Sequence, residues 1–175
     1  MAIISFQALS DLPTKACPVK RSDHLKKLSW EHHDALKFAR RIQRGMGNGT
    51  PEERIARYVI FIVETLLQPH FELEEVSLIK RLPPAAAEDV AVTRVIDDHR
   101  EFNRLVTAIE GGGGELRPLL ESLVDLLKRH VKWEEQRFFP YCEQVLCDTD
   151  LELIRGELDQ GHLPGEVPWD DPFWG

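Results

Sequence analysis

The sequence contains few cysteines and no long apolar run, and both absences limit what the protein can be. Its three cysteines, Cys17, Cys142 and Cys147, match neither the spacing of a zinc ribbon nor that of a redox pair. Reduced thiols are therefore expected, as in a cytoplasm. No stretch approaches the roughly 20 consecutive apolar residues of a membrane-spanning helix. The apolar start, residues 1–6, is too short for a signal peptide and lacks a basic segment before it, which predicts a soluble cytoplasmic protein.

Positive charge is also scarce relative to negative charge. The chain has 22 Lys and Arg against 30 Asp and Glu, which gives a formal net charge of −8 and a pI near 5.4. An acidic surface repels phosphate groups, so a nucleic-acid partner is not expected. The chain does contain 42% hydrophobic and 30% charged residues over 175 positions, which is typical of one soluble domain with a full core.

Strand-like alternation of apolar and polar residues is absent as well. Apolar residues instead recur at steps of three and four, the helical period, in four stretches: 22–44, 51–82, 87–110 and 116–142. Because Gly-rich or Pro-rich connections separate the stretches, the pattern predicts an all-α, up-down-up-down four-helix bundle. Pro69 is expected to kink its helix or to be absorbed in it, and Pro140 is expected to stop or bend its helix.

The two ends of the chain differ in composition from its middle. Residues 1–20 and 148–175 are expected to be less regular extensions of a bundle domain that spans 21–147. The C-terminal extension is acidic and rich in Gly and Pro, yet it contains three large aromatic residues: Trp169, Phe173 and Trp174. These side chains are expected to pack against the bundle of their own chain, with a subunit contact or a lid as the less favoured alternative.

A repeated histidine motif links the two halves of the chain. The second and fourth helical stretches both contain His-x-x-x-Glu-Glu, beginning at His70 and at His130. The first and third stretches each contain an inward histidine directly after an acidic residue, at His32 and His99. The sequence therefore predicts two similar helical hairpins, and this symmetry suits two metal ions.

The helical spacing predicts that the motif residues meet in the core. Residues four apart on a helix share a face, so each motif histidine converges with the glutamate that follows it. Six side chains are expected at mid-height of the bundle: His32, His70, Glu74, His99, His130 and Glu134. Two histidines on each of two metals, with both glutamates bridging, would leave coordination positions for an oxo or hydroxo bridge and a small molecule.

The metal ligand on the first helix is the one least determined by the pattern. His32 lies on the apolar face, whereas His33 is one position round the helix and His24 is two turns nearer the N-terminus. His32 is the expected ligand, and His33 and His24 are held in reserve. Further glutamates are expected on solvated faces or beside the ligands: Glu72, Glu75 and Glu135.

A plain structural role is the main alternative to a metal site. A single histidine on an apolar face is more often a hydrogen-bonded core residue. Two buried carboxylates are different, because each is costly unless a partner or a metal neutralises it, and the inward face has no cation beyond Arg81 and Arg137 at its edges. The combined pattern favours a metal. Imidazole and carboxylate without cysteine fit iron, manganese or zinc, and a bridged site with open positions favours a pair of irons.

From about Leu25 to Pro140 the sequence resembles the hemerythrin-like, HHE cation-binding family. Four segments carry the resemblance: Leu28-Ser29-x-Glu31-His32-His33, His70-x-x-x-Glu74-Glu75, Asp98-His99, and His130-x-x-x-Glu134-Glu135-x-x-Phe138-Phe139-Pro140. The resemblance implies a four-helix bundle around a non-haem di-iron centre, with the family's ligands carried over onto the six residues given above. It also implies diferrous iron that binds dioxygen or nitric oxide, or that senses oxygen or iron.

The chain departs from the oxygen-carrying hemerythrins at two positions. Where their third helix has a second histidine, this chain has Asn103, and where their fourth-helix motif ends in an aspartate one residue later, this chain has Glu134. Sensing, a response to nitrosative stress or iron-linked repair is therefore more expected than stable oxygen transport. The alternatives are a di-iron enzyme that reduces nitric oxide or peroxide, and a mononuclear, zinc or manganese protein. A homodimer is one option for its assembly.

Overall fold

The computed structural model describes residues 23–112, 115–161 and 167–175. All regular structure within those ranges is helical, which confirms the all-α prediction for the described part of the chain. The predicted N-terminal extension, 1–20, with Cys17, lies outside the described residues. Among the helices described, none is both long enough and apolar enough to cross a membrane.

The first helix, α1, spans Lys26–Gly47 and corresponds to the predicted helix 22–44. Its main buried residues recur at steps of three and four and so line one face: Leu28, His32, Ala35, Phe38, Ala39 and Ile42. Gly49 follows the helix with a φ of 71°, a conformation that glycine adopts without steric cost. This glycine turns the chain toward the second helix.

The second helix, α2, is continuous through five segments: Glu52–Ile62, Val63–Leu67, Gln68–Leu73, Glu74–Leu78 and Ile79–Arg81. The turns Val63–Leu67 and Glu74–Leu78 are wider, π-type turns. Pro69 has no N–H to donate to the carbonyl of Thr65, and the wide turn before it accommodates that missing bond. The helix therefore absorbs Pro69, which is one of the two predicted outcomes.

Three further helices follow α2 along the chain. A short helix, α3, spans Pro84–Ala87, and α4 spans Val90–Glu110 in place of the predicted 87–110. The side chain of Asp89 caps α4 by accepting a hydrogen bond of 2.8 Å from the N–H of Ala91. The next helix, α5, is continuous through three segments: Leu116–Trp133, Glu134–Phe138 and Phe139–Val145. It continues past Pro140 and ends beyond the predicted residue 142, so this proline does not stop it.

The four long helices α1, α2, α4 and α5 pack against one another around two apolar clusters. The first apolar cluster includes Ile42, Tyr58, Phe102 and Leu123, and the second includes Leu28, Leu78, Val95 and Phe138. Along α1 and α4 the chain passes from the second cluster to the first, and along α2 and α5 it passes from the first to the second. A layer of buried polar side chains separates the two clusters on every one of these helices.

The C-terminal extension is more regular than the sequence analysis predicted. A helix, α6, spans Asp148–Gln160, where less regular structure was expected over 148–175. Its buried residues are Leu151, Ile154 and Leu158, which join the second apolar cluster. This stripe is too short to stand out in an acidic segment, and helices of this length depend on tertiary packing.

Residues 167–175 pack on their own chain, as the favoured reading of the aromatic tail predicted. Phe173 is 6% exposed and lies over Gly45 of α1, where a Cβ atom would come within 2.5 Å of its ring. Tyr58 of α2 meets the rings of Phe173 and Trp174 at centroid distances of 5.3 and 4.9 Å. The tail thus completes the first apolar cluster.

Candidate metal centre

Four histidines and two glutamates form the buried polar layer between the two apolar clusters. Their exposures are His32 3%, His70 5%, Glu74 0%, His99 3%, His130 1% and Glu134 0%. Each occupies a position of the buried helical face in α1, α2, α4 or α5, and so all six point into the bundle. The structure brings together the six side chains that the sequence pattern selected.

The six side chains form two groups of four that share both glutamates. One group is His32, His70, Glu74 and Glu134, and the other is Glu74, His99, His130 and Glu134. Within each group the candidate ligand atoms all lie within 4.8 Å of one another. We name the groups the His32/His70 position and the His99/His130 position.

At the His32/His70 position, the two histidines approach each other through Nε2, at 3.2 Å. The Nε2 of His32 is 2.9 Å from Oε2 of Glu134, and the Nε2 of His70 is 3.4 Å from Oε1 of Glu74. Two atoms that bind one ion at about 2.1 Å lie roughly 3.0–3.4 Å apart at tetrahedral or octahedral angles. The spacing therefore suits atoms that share an ion.

The His99/His130 position has a similar geometry. Nε2 of His99 is 3.4 Å from Oε2 of Glu74, and Nε2 of His130 is 3.3 Å from Oε2 of Glu134. His99 also stacks on Phe71, at a centroid distance of 4.2 Å. The ring of Phe71 therefore places an apolar surface directly beside the polar layer.

Several buried atoms of the cluster make no hydrogen bond. They include both carboxylate oxygens of Glu74 and of Glu134, together with Nε2 of His99 and of His130. Buried polar atoms in folded proteins nearly always have a partner, and an uncompensated buried carboxylate is costly. A cation held between these atoms would satisfy them all, so the residues present fit a metal.

The protonation of the cluster is set by opposing effects of burial and charge. Burial alone would lower the pKa of His32, but the carboxylates of Glu134 and Glu135 beside it raise that pKa to about 10. Burial alone would raise the pKa of Glu74, but the nearby imidazoles of His70 and His99 lower it to about 2. Any cation that binds to the cluster therefore competes with protons for the histidines.

Every clustered histidine has a carboxylate beside its other ring nitrogen, Nδ1. The pairs and their N–O distances are Glu135–His32 at 2.7 Å, Glu31–His70 at 2.7 Å, Glu75–His99 at 2.8 Å and Asp98–His130 at 3.5 Å. A carboxylate at Nδ1 holds the proton on that nitrogen and turns Nε2 toward the metal, which orients the ring and makes it a stronger ligand. All four carboxylates come from a helix other than that of their histidine.

The sequence predicted a place for two of these four carboxylates, Glu75 and Glu135, but gave no role to Glu31 and Asp98. Glu75 and Glu135 were expected on solvated faces or beside the ligands, and the structure places both beside candidate ligands. The roles of Glu31 and Asp98 were missed, although both directly precede an inward histidine. Their recurrence at matching places in the repeat was the available signal, but the histidine each one faces lies on the next long helix and cannot be read from local spacing.

The reserve histidines lie outside the cluster. His33 is exposed on α1, one residue from the buried His32. His24 precedes α1, and its Nε2 is 3.0 Å from Oε1 of Glu152 on α6. Cys142 is buried in the second apolar cluster, and this burial raises the pKa of its thiol, which keeps the thiol protonated.

One protein-family model matches the chain, that of the hemerythrin HHE cation-binding domain, over residues 23–142. No curated protein and no solved structure matches the chain. The matched range contains all six clustered side chains and all four carboxylates beside them. It also covers well over half of the 175 residues.

Proposed function

The chain belongs to the hemerythrin HHE cation-binding domain family, and from this premise we propose that its His/Glu cluster holds two iron ions and binds a small diatomic ligand, dioxygen or nitric oxide. The observation that carries the proposal is the pair of four-residue groups that share Glu74 and Glu134. A carboxylate shared between two groups suits two neighbouring ions, because each of its oxygens can bind one of them.

Different side chains would bind the metals, exclude water and orient the histidines at such a site. Two histidines and the two shared glutamates would offer each ion four protein donors, fewer than the six that iron commonly binds. The bound irons would supply open coordination positions and the electrons for a diatomic ligand. The stacked rings of Phe71 and Phe139 exclude water beside the histidines, and the outer carboxylates keep the imidazoles in one orientation.

The third long helix favours sensing or stress response over oxygen transport. Asn103, which stands where an oxygen carrier has another histidine, is exposed on α4, whereas His99 is buried. Each position then has two histidines, and the site lacks the uneven ligand count of a carrier. We therefore propose a role in sensing, in the response to nitrosative stress or in iron handling.

Metal analysis of protein purified without oxygen tests the metal part of the proposal. Two irons per chain are expected, and Glu74→Ala or Glu134→Ala should each lose bound iron because each removes a shared ligand. Glu72→Ala is the matched control, since Glu72 is an exposed carboxylate on the same helix as Glu74. Zinc, manganese or a single ion in the purified protein would contradict the proposal.

Rapid mixing of the diferrous protein with dioxygen or nitric oxide tests the ligand. A sensing or binding role predicts one stoichiometric spectral change per chain that reverses when the gas is removed. Repeated turnover with a reductant would instead assign the chain to the alternative, an enzyme that reduces nitric oxide or peroxide. A long-lived dioxygen complex with the affinity of an oxygen carrier would contradict the proposed role.

The up-down-up-down arrangement and the assembly belong to the same proposal. The order of the two apolar clusters reverses on each successive long helix, which supports an antiparallel bundle. A cytoplasmic location and a homodimer stay predictions from the sequence. Light scattering of the purified protein measures the assembly directly.

A further inference from the structure

We propose that the two metal positions bind iron with unequal affinity, because Asp98 supports His130 less well than Glu31 supports His70. The His32/His70 position is the stronger one, and the His99/His130 position is the weaker one. This inference rests on the proposed two-metal cluster and goes beyond it by making the two halves inequivalent.

The internal repeat makes Glu31 and Asp98 a matched pair. Each directly precedes an inward histidine, and each faces the motif histidine of the next long helix, His70 or His130. Their side chains are exposed to the same degree, 15% and 16%, so solvent does not distinguish them. The distance from each carboxylate to its histidine does distinguish them, because Glu31 lies 2.7 Å from Nδ1 of His70, whereas Asp98 lies 3.5 Å from Nδ1 of His130.

The longer distance means that His130 lacks a hydrogen bond at Nδ1. N–H···O bonds extend to about 3.2 Å, and both Nδ1 of His130 and Oδ2 of Asp98 are buried without a hydrogen-bond partner. Aspartate is one methylene shorter than glutamate, and this reduces its reach from α4 toward α5. Of the four carboxylate–histidine pairs around the cluster, this is the one without a hydrogen bond.

A neighbouring arginine faces the same carboxylate oxygen. Nε of Arg94 lies 3.9 Å from Oδ2 of Asp98, one helical turn away. The guanidinium of Arg94 is in turn held 4.4 Å from the ring centre of Trp133. At the matching place in the first hairpin, Lys27 pairs with Asp159 of α6 at 3.5 Å instead. The positive charge beside Asp98 therefore weakens it as an acceptor for His130.

The remaining supports are balanced between the two positions. Glu135 is 2.7 Å from Nδ1 of His32 and Glu75 is 2.8 Å from Nδ1 of His99, so His32 of α1 and His99 of α4 are held at nearly the same distance. Loss of a carboxylate partner of a metal-bound histidine lowers metal affinity by about 10–100-fold. A difference of about tenfold or more between the two positions is therefore expected.

Crystals of the full chain loaded with one equivalent of Fe²⁺ without oxygen test the inference directly. Anomalous scattering at the iron edge should show higher occupancy at the His32/His70 position, about threefold for an affinity difference of about tenfold, because a single equivalent is shared between the two positions. Equal occupancy, or higher occupancy at the His99/His130 position, would overturn the inference. Failure to bind a second iron even in excess Fe²⁺ would instead count against the two-metal function, so the two failures are distinguishable.

Exchanging the two acidic residues provides a matched test in solution. Asp98→Glu should strengthen the weaker of the two Fe²⁺ constants toward the stronger, and Glu31→Asp should weaken the stronger, both measured by competition with a chelator. Arg94→Gln should strengthen the weaker constant too, because Asp98 is then free to turn toward His130. Arg94 is 41% exposed, so this variant keeps the test valid if Asp98→Glu does not fold. Unchanged constants in Asp98→Glu and Arg94→Gln would overturn the inference.

Discussion

Each clustered histidine is defined by contacts at both ring nitrogens. Nε2 faces a shared glutamate, and Nδ1 faces a carboxylate from another helix, which for His130 is too distant, at 3.5 Å, for a hydrogen bond. The inner contacts follow from helical spacing, because residues four apart share a face, and the sequence was sufficient to select them. The outer contacts were not predictable, since they depend on how far one helix lies from the next and on side-chain length, as the comparison of Glu31 with Asp98 illustrates.

Glu75 offers a direct measure of what an outer carboxylate contributes. Its Oε1 lies 2.8 Å from Nδ1 of His99, although the side chain is 49% exposed. Glu75→Ala should lower the affinity for Fe²⁺ by about tenfold, because His99 loses the group that orients it and increases its basicity. Chelator competition measures the change.

Glu72→Ala is the control for this prediction as well. Glu72 lies on the same helix, is exposed, and bonds to Gln68 at 3.2 Å outside the cluster. Removing it should leave the Fe²⁺ affinity unchanged. If the two variants had the same affinity, Glu75 would have no role in the metal centre beyond its contribution to surface charge.

Among the helices, the long ones were predictable and the irregular turns were not. Apolar steps of three and four located α1, α2, α4 and α5 to within a few residues, because each buries one continuous face. The π-type turns Glu74–Leu78 and Glu134–Phe138 begin at the two shared glutamates, and an extra residue in a turn leaves no mark in an apolar pattern. Their matching places in both hairpins extend the internal repeat from sequence to backbone.

The attachment of α6 should depend on pH through Glu157. Its carboxylate accepts hydrogen bonds from Arg81 of α2, at 2.5 and 2.9 Å, and these lower the pKa of Glu157. A carboxylate with a lowered pKa in the folded state adds stability above its unfolded pKa, and that stability is lost as the pH falls through the folded value. Because the pair is partly exposed, its contribution is at most about 1 kcal/mol.

Thermal unfolding of the wild-type chain and of Glu157→Gln tests the ion pair when it is measured from neutral pH down to below the lowered pKa of Glu157. The variant should be less stable near neutral pH, and the difference should vanish as the pH falls below the lowered pKa of Glu157. Asp148→Asn, which removes an exposed carboxylate from the first turn of the same helix, controls for charge on α6 itself. A stability difference that is constant with pH would show that this carboxylate does not act through its charge.

At the scale of the bundle, the aromatic tail, residues 167–175, packs at the end remote from the His/Glu cluster. Gly45, under Phe173, lies 13 residues along α1 from His32, which is about 20 Å at the rise of an α-helix. The tail joins the first apolar cluster and contacts none of the clustered histidines through its rings. Its position assigns it to packing and does not suit a lid over the metals.

Gly45→Ala separates these two roles for the tail. The added methyl would lie 2.5 Å from the ring of Phe173, so the ring must move, and overpacking of this kind costs about 1–3 kcal/mol. The melting temperature should fall and the fluorescence of Trp169 and Trp174 should shift to longer wavelength, while the Fe²⁺ affinity of the His/Glu cluster should not change. Gly47→Ala, on the same helix with nothing within 4 Å of its added Cβ, should leave the fluorescence unchanged. Faster iron release in Gly45→Ala alone would contradict the packing role, because only a tail that restricts access to the metal centre would produce it.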